Sequence, residues 1–162
     1  MGRISREVMF MEMTKVAAKR STCHRLNVGA IITRNRKVPV SIGWNGAAAG
    51  LPHCAGNHCP GIVPGNCGTL HAEANAIDAL LEVFKPNHPK KSAFDLYCTD
   101  SPCEECVDRI ISCGLIDRVF FEKLYRVNGH LEKLQDKNIG VYIITPAGYI
   151  VEYFSHEVIE LP

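Results

Sequence analysis

From Ile4 to Arg20, apolar residues recur on a helical period at Val8, Met11, Val16 and Ala17 among good helix formers, which predicts an amphipathic helix. Two β-branched runs follow, Asn27–Thr33 (NVGAIIT) and Val38–Trp44 (VPVSIGW), separated by a short polar NRK turn, and they predict a hairpin. Pro39 cannot donate to a ladder, so the second run belongs on a sheet edge or at a bulge. Residues 46–68 carry no period and read as a loop. A second helix is predicted over His71–Phe84, with Thr69 available as a cap, Glu73 in the first turn and Pro86 just past the end. Ala93–Thr99 then reads as a strand, and Cys103–Cys113 as a short helix stopped by Gly114. Arg118–Glu122 is a strand, Leu131–Lys137 a short helix and Val141–Thr145 a last strand. The order α-β-β-α-β-α-β-α-β predicts an α/β fold, a five-stranded sheet with helices on its faces, built from a hairpin and then crossovers.

Composition narrows the setting. The chain has 162 residues, 46 % of them hydrophobic, which is enough for one domain (1–162) with a real core. No apolar run approaches the roughly 18 residues of a membrane span, and Arg3, Arg6 and Glu7 interrupt any signal-peptide layout. A soluble, cytoplasmic protein is expected. Eight cysteines in that setting point to metal or catalysis rather than disulfides. Net charge is only +1 but unevenly spread: residues 1–37 hold nine Lys/Arg against two acids, and residues 73–162 nine against fifteen. The basic start reads as a solvated helix face or as a surface for an anionic partner. Residues 38–72 hold no charged side chain and seven of the thirteen glycines, so something other than ordinary solvation must order that stretch.

Chemistry concentrates in "TLHAEANAI" (69–77) and "SPCEEC" (101–106). Cys103 and Cys106 lie three apart with Pro102 just before them, which puts both thiols on one face of a helix start. Two thiolates there favour Zn²⁺; a redox pair or half of a closed structural zinc site is the alternative for a lone C-x-x-C. His71, at the start of the preceding helix, supplies a third ligand and leaves one coordination position open, as catalytic zinc sites do. Glu73 then acts as a base beside the metal: it takes a proton from the activated water and passes it to a ring nitrogen and a leaving amine. As a fourth ligand it would close the site. Taken alone, it would be an ordinary residue for a helix N-terminus.

The pattern H-x-E…P-C-x-x-C belongs to zinc nucleobase deaminases, in which the glutamate is not a ligand. "HAEANAI" and "YCTDSPCEEC" resemble the cytidine/deoxycytidylate deaminase superfamily, and the order of strands and helices fits its three-layer α-β-α fold with a mixed sheet. "RSTCHRLNVGAI" (20–31), "GWNGAAAGLPHC" (43–54) and the run from His53 to Glu73 resemble the deoxycytidylate (dCMP) deaminases, in particular their cysteine-rich bacterial and phage branch. That resemblance implies hydrolysis of dCMP to dUMP and ammonia in a hexamer, activated by dCTP and inhibited by dTTP, with Mg²⁺ accompanying the triphosphate.

The resemblance assigns the catalytic zinc to His71, Cys103 and Cys106 and the proton shuttle to Glu73. It places backbone groups of Ala72 and Ser101 on the cytosine edge and leaving amine, Asn45 on the sugar and Tyr125 against the base. Gly43, Trp44, Asn45 and Gly46 match the G-Y-N-G effector motif, with Trp44 in place of tyrosine. Arg20, Arg25, Ser21 and Thr22 are candidates for nucleotide phosphate, or else surface residues at the end of the first helix. Cys23, Cys54, Cys59 and Cys67 suit a second, structural Zn²⁺ that would order the charge-free loop, and His53 or His58 could replace one ligand. Cys98 and Cys113 read as small buried residues; His24, His88, His130 and His156 have no visible partner. Two other readings remain: a nucleic-acid deaminase (tRNA adenosine or single-stranded DNA cytosine) and a non-catalytic zinc module. The first needs a basic channel and stacking aromatics, and the second has no use for Glu73.

Overall fold

The computed structural model describes residues 2–54, 68–85, 93–126 and 128–159. The first helix, α1, spans Arg6–Ala18 and is capped by the Ser5 hydroxyl, which accepts from the Val8 N–H at 3.2 Å. Its buried stripe is Glu7, Phe10, Met11, Thr14, Ala17 and Ala18, whereas Val16 is 62 % exposed. The face is thus rotated from the one the apolar positions predicted. Thr14 can be buried because its hydroxyl donates to the Phe10 carbonyl at 2.8 Å.

Strands β1 (Gly29–Arg34) and β2 (Val38–Trp44) form the expected hairpin, with Asn35 and Arg36 in left-handed conformation at the turn (φ 53° and 59°). β2 is the sheet edge, and Pro39 pairs with Thr33 just past a register shift, so both placements open to the proline are realised. Helix α2 (Ala72–Val83), β3 (Phe94–Asp100), α3 (Glu104–Cys113), β4 (Ile116–Lys123), α4 (Glu132–Asp136, after a 3-10 turn at Gly129–Leu131) and β5 (Gly140–Ile144) follow as predicted in kind and order.

The strand count needs correction. The sheet has seven strands in the order β2-β1-β3-β4-β5-β6-β7, because Ile150–Glu152 (β6) and Val158–Ile159 (β7) extend it antiparallel beyond β5. Segments of three and two residues are too short to show a period of their own, and pairing with an existing edge makes them strands. β3, β4 and β5 run parallel and β1 antiparallel to β3, so the sheet is mixed.

Helices α2 and α3, with Leu134 of α4, cover one face over Ile32, Leu96, Val119 and Val141. α1 covers the other, where Phe10 packs on Tyr97. There Tyr97, Phe120 and Tyr142 stand opposite one another on adjacent strands and stack at 4.7 and 4.9 Å. Every residue of β3 is buried, as a central strand covered on both faces requires. Arg118 makes a two-pronged bond to buried Asp95, at 2.8 and 2.6 Å, so that both charges are paired. None of the described helices is long and apolar enough to cross a membrane.

Two close approaches set the helices against the hairpin. A Cβ on Gly29 would strike α1, and one on Gly43 would collide with the Ala72 carbonyl and lie 2.6 Å from the Ala76 nitrogen of α2. Gly43 therefore lets the N-terminus of α2 come down onto β2. The Ser41 hydroxyl donates to the Ala76 carbonyl along the same seam.

Candidate active site

His71 and Cys103 occupy equivalent positions: each is the N-cap of its helix, with extended backbone, and neither side chain caps the helix. Both side chains are thereby free to meet over the two helix ends. Pro102 precedes the cap of α3 and does not open the helix, and Cys106 sits on the first turn. His71 Nδ1 lies 3.3 Å from Cys103 Sγ and 3.2 Å from Cys106 Sγ. One ring nitrogen directed at two sulfurs is the disposition of ligands around a common point. Bond lengths of about 2.0 Å to nitrogen and 2.3 Å to sulfur at a tetrahedral angle would separate ligand atoms by about 3.6 Å. The three ligand atoms all lie within 4.8 Å of one another, and an N, S, S donor set suits Zn²⁺, so these residues fit the ion.

The electrostatics agree. Cys103 is pulled down to about 4, chiefly by the Cys106 S–H and then by His71, although burial opposes this. His71 is raised to about 9 by its bond to the Cys103 thiolate, with burial acting the other way. Cys106 is pushed up by the Cys103 thiolate beside it and by burial. The thiolate form is thus favoured at Cys103, and a cation would favour release of the remaining protons. Glu73, in the first turn of α2 and 5 % exposed, is raised to about 7 by burial, partly offset by its own backbone N–H and by His71. A buried carboxyl poised near neutrality beside a metal-ligand cluster has the properties of a proton shuttle.

His71, Cys103 and Glu73 lie in the wall of a cavity of about 310 Å³, which Ala72, Asn45, Ser101, Tyr125 and Arg25 also line. The Ser101 N–H is given to the Lys123 carbonyl at 2.7 Å, so its carbonyl is what it can offer a ligand. Its hydroxyl accepts from Tyr125 N at 2.8 Å, which anchors the backbone of that lining residue. Asn45 uses Oδ1 to accept from Val28 N (2.8 Å) and Nδ2 to donate to Leu26 O (2.7 Å), leaving one amide hydrogen.

Ser21, Thr22 and Arg20 do not line the cavity. Ser21 accepts from Cys23 N, Thr22 from Ala47 N, and Arg20 lies over the Trp44 ring at 5.6 Å. In the 43–46 segment, Trp44 O accepts from Asn75, and Gly46 forms a bridge with Leu70 so close to Thr22 that a Cβ would strike its hydroxyl. Packing thus accounts for both glycines of that segment.

Among the charged residues of the lining, sequence reasoning missed two, Asp100 and Arg126. Arg126 has a left-handed backbone (φ 33°), and its guanidinium lies 5.1 Å from the Tyr125 ring. No local pattern marks either residue; the positive φ emerges only from the folded chain.

Among the described residues, the metal-type cluster is the one at His71, Cys103 and Cys106. Of the proposed second set, Cys23 is buried in the cavity wall, Cys54 half-buried and His53 exposed. His24, next to Cys23, bonds the Cys54 carbonyl at 2.8 Å, which brings the two segments together. Cys59, Cys67 and His58 lie outside the described residues, as do Pro86 and His88.

This fold, with its zinc-type cluster and buried glutamate, matches that of the base deaminases. The family model for the cytidine and deoxycytidylate deaminase zinc-binding region matches residues 4–123, and the chain belongs to that family of enzymes. Within the family its likeness is to the deoxycytidylate deaminases. It is 34 % identical to the deoxycytidylate deaminase of Mycobacterium phage D29 over 76 % of this chain and 98 % of that one. It is 38 % identical to ComE operon protein 2 of Bacillus subtilis over 83 % of this chain and 68 % of the relative. The deoxycytidylate deaminase of Saccharomyces cerevisiae is 33 % identical, but the match spans only 45 % of its length. The crystal structure of the dCMP deaminase of cyanophage S-TIM5, in complex with dCMP and dUMP, superposes with a TM-score of 0.70 at 26 % identity, covering 87 % of this chain and 99 % of that one.

Proposed function

We propose that the protein hydrolyses dCMP to dUMP and ammonia. The observation that carries this reading is the cluster of His71, Cys103 and Cys106, which borders, together with the buried carboxyl of Glu73, a nucleotide-sized cavity that Arg25 and Arg126 also line. Zinc held by the three ligands would supply Lewis acidity that makes water a nucleophile at neutral pH. Glu73 takes a proton from that water as its oxygen bonds to C4 of cytosine. It delivers that proton to ring N3 and then carries the remaining proton of the new C4 hydroxyl to the amine, which leaves as ammonia when the C4–N bond breaks and the C4 carbonyl forms. The Ala72 N–H, free at the first turn of α2, and the Ser101 carbonyl hold the base edge and the departing amine. Tyr125 packs on the base. Arg25 and Arg126 form no ion pair among the described residues and are available to a 5′-phosphate.

The regulatory reading belongs to the same proposal: dCTP with Mg²⁺ activates and dTTP inhibits through Gly43, Trp44, Asn45, Gly46 and Arg20, in a cytoplasmic hexamer. Its support is the sequence resemblance together with the Arg20–Trp44 contact. A second zinc on Cys23, Cys54, Cys59 and Cys67 rests on the chemistry of four spare thiols near one loop, with His24, the neighbour of Cys23, bonded to the Cys54 carbonyl. The test compares dCMP, deoxycytidine, cytidine and RNA as substrates, with and without each triphosphate. dCMP should exceed the rest by orders of magnitude. A preference for RNA would overturn the substrate, and indifference to both triphosphates would remove the regulation alone.

A further inference from the structure

Asp100 ends β3 in the wall of the cavity and is 9 % exposed. The Thr99 hydroxyl donates to its Oδ2 at 2.9 Å, and that hydroxyl in turn accepts from Gly29 N at 3.3 Å, so the carboxylate is held in place. Among the described residues it has no other hydrogen bond and no ion pair. Oδ1 carries no hydrogen bond among the described residues and belongs to a residue of the cavity wall, so it is open to a ligand there. It can only accept, so its complement is a donor on the ligand.

Resting on the dCMP reading, the donor can be identified by elimination. dCMP carries two donor groups, the N4 amine and the 3′-hydroxyl, while its phosphate would be repelled by a carboxylate. The amine must lie against Glu73 and the metal ligands, where it is lost. The 3′-hydroxyl remains. Asn45, which also lines the cavity, keeps one amide hydrogen after bonding Leu26 and Val28, so it can donate to the hydroxyl oxygen whose proton Asp100 accepts. We propose that Asp100 is a specificity-determining residue that accepts a hydrogen bond from the 3′-hydroxyl of the substrate sugar, with Asn45 as its donor counterpart.

The test is a cycle on the zinc-loaded enzyme, with dCMP and 2′,3′-dideoxycytidine monophosphate as substrates and Asp100→Ala and Asp100→Asn as variants. A hydrogen bond to a charged group predicts that removing the 3′-hydroxyl lowers kcat/KM of the natural enzyme roughly 10- to 100-fold. In Asp100→Ala the two substrates should differ by no more than about 3-fold. Asp100→Asn keeps an acceptor for Thr99 and should fall between, which guards against misfolding of the alanine variant. The dissociation constants of dUMP and its dideoxy analogue should show the same loss of discrimination. Equal losses on both substrates in Asp100→Ala, with discrimination kept, would overturn the assignment alone. No turnover of dCMP by the natural enzyme would overturn the reading of the function, and this inference with it.

Discussion

The burial of Glu73 has a consequence for stability that separates its position from its role in turnover. Glu73→Gln in metal-free protein removes a carboxyl whose pKa in the fold rises from its ordinary 4.5 to about 7, chiefly because burial disfavours the charged form. At about 1.4 kcal/mol per pH unit, this rise corresponds to about 3 kcal/mol. The folded value is the higher one, so the favourable contribution is fully present below 4.5 and is lost as pH rises through 7. Chelator-treated natural protein should therefore lose about 3 kcal/mol relative to Glu73→Gln between pH 4.5 and 9. Urea unfolding of the two proteins across that range measures the gap, since other titrating groups are common to both. Restoring zinc should shrink it, because a nearby cation favours the carboxylate. The same zinc-loaded variant should keep its metal and lose about 100-fold or more in turnover. A gap independent of pH would refute the desolvated placement of Glu73, and loss of zinc from the variant would make it a ligand.

Metal analysis should find two zinc ions per chain and one in Cys54→Ser; a natural value near one removes the second site. Gly43→Ala should lower stability by about 3 kcal/mol, the upper range for overpacking, because backbone atoms of α2 cannot rotate away. Gly129→Ala, with open space around the added methyl, is its control and should cost little; equal urea midpoints would refute the close approach.

The sequence by itself was enough to single out the His71, Cys103 and Cys106 cluster and the buried carboxyl of Glu73. His71 and Glu73, like Cys103 and Cys106, are bound by short covalent spacing to helix starts, and such spacing survives folding unchanged. The strands and helices through β5 were legible for a similar reason, since their periods are local. The tertiary structure decided the rest. β6 and β7 exist because an edge strand offers them partners, and the buried face of α1 was selected by the sheet it covers. The cavity beside this cluster was the least legible part. Ser21 and Thr22 bond backbone nearby, Asn45 braces Leu26 and Val28, and Asp100 and Arg126 reach the wall from the ends of β3 and the segment after β4. Which side chains line a cavity depends on the convergence of loops distant in sequence, and periodicity and residue spacing contain no term for that convergence.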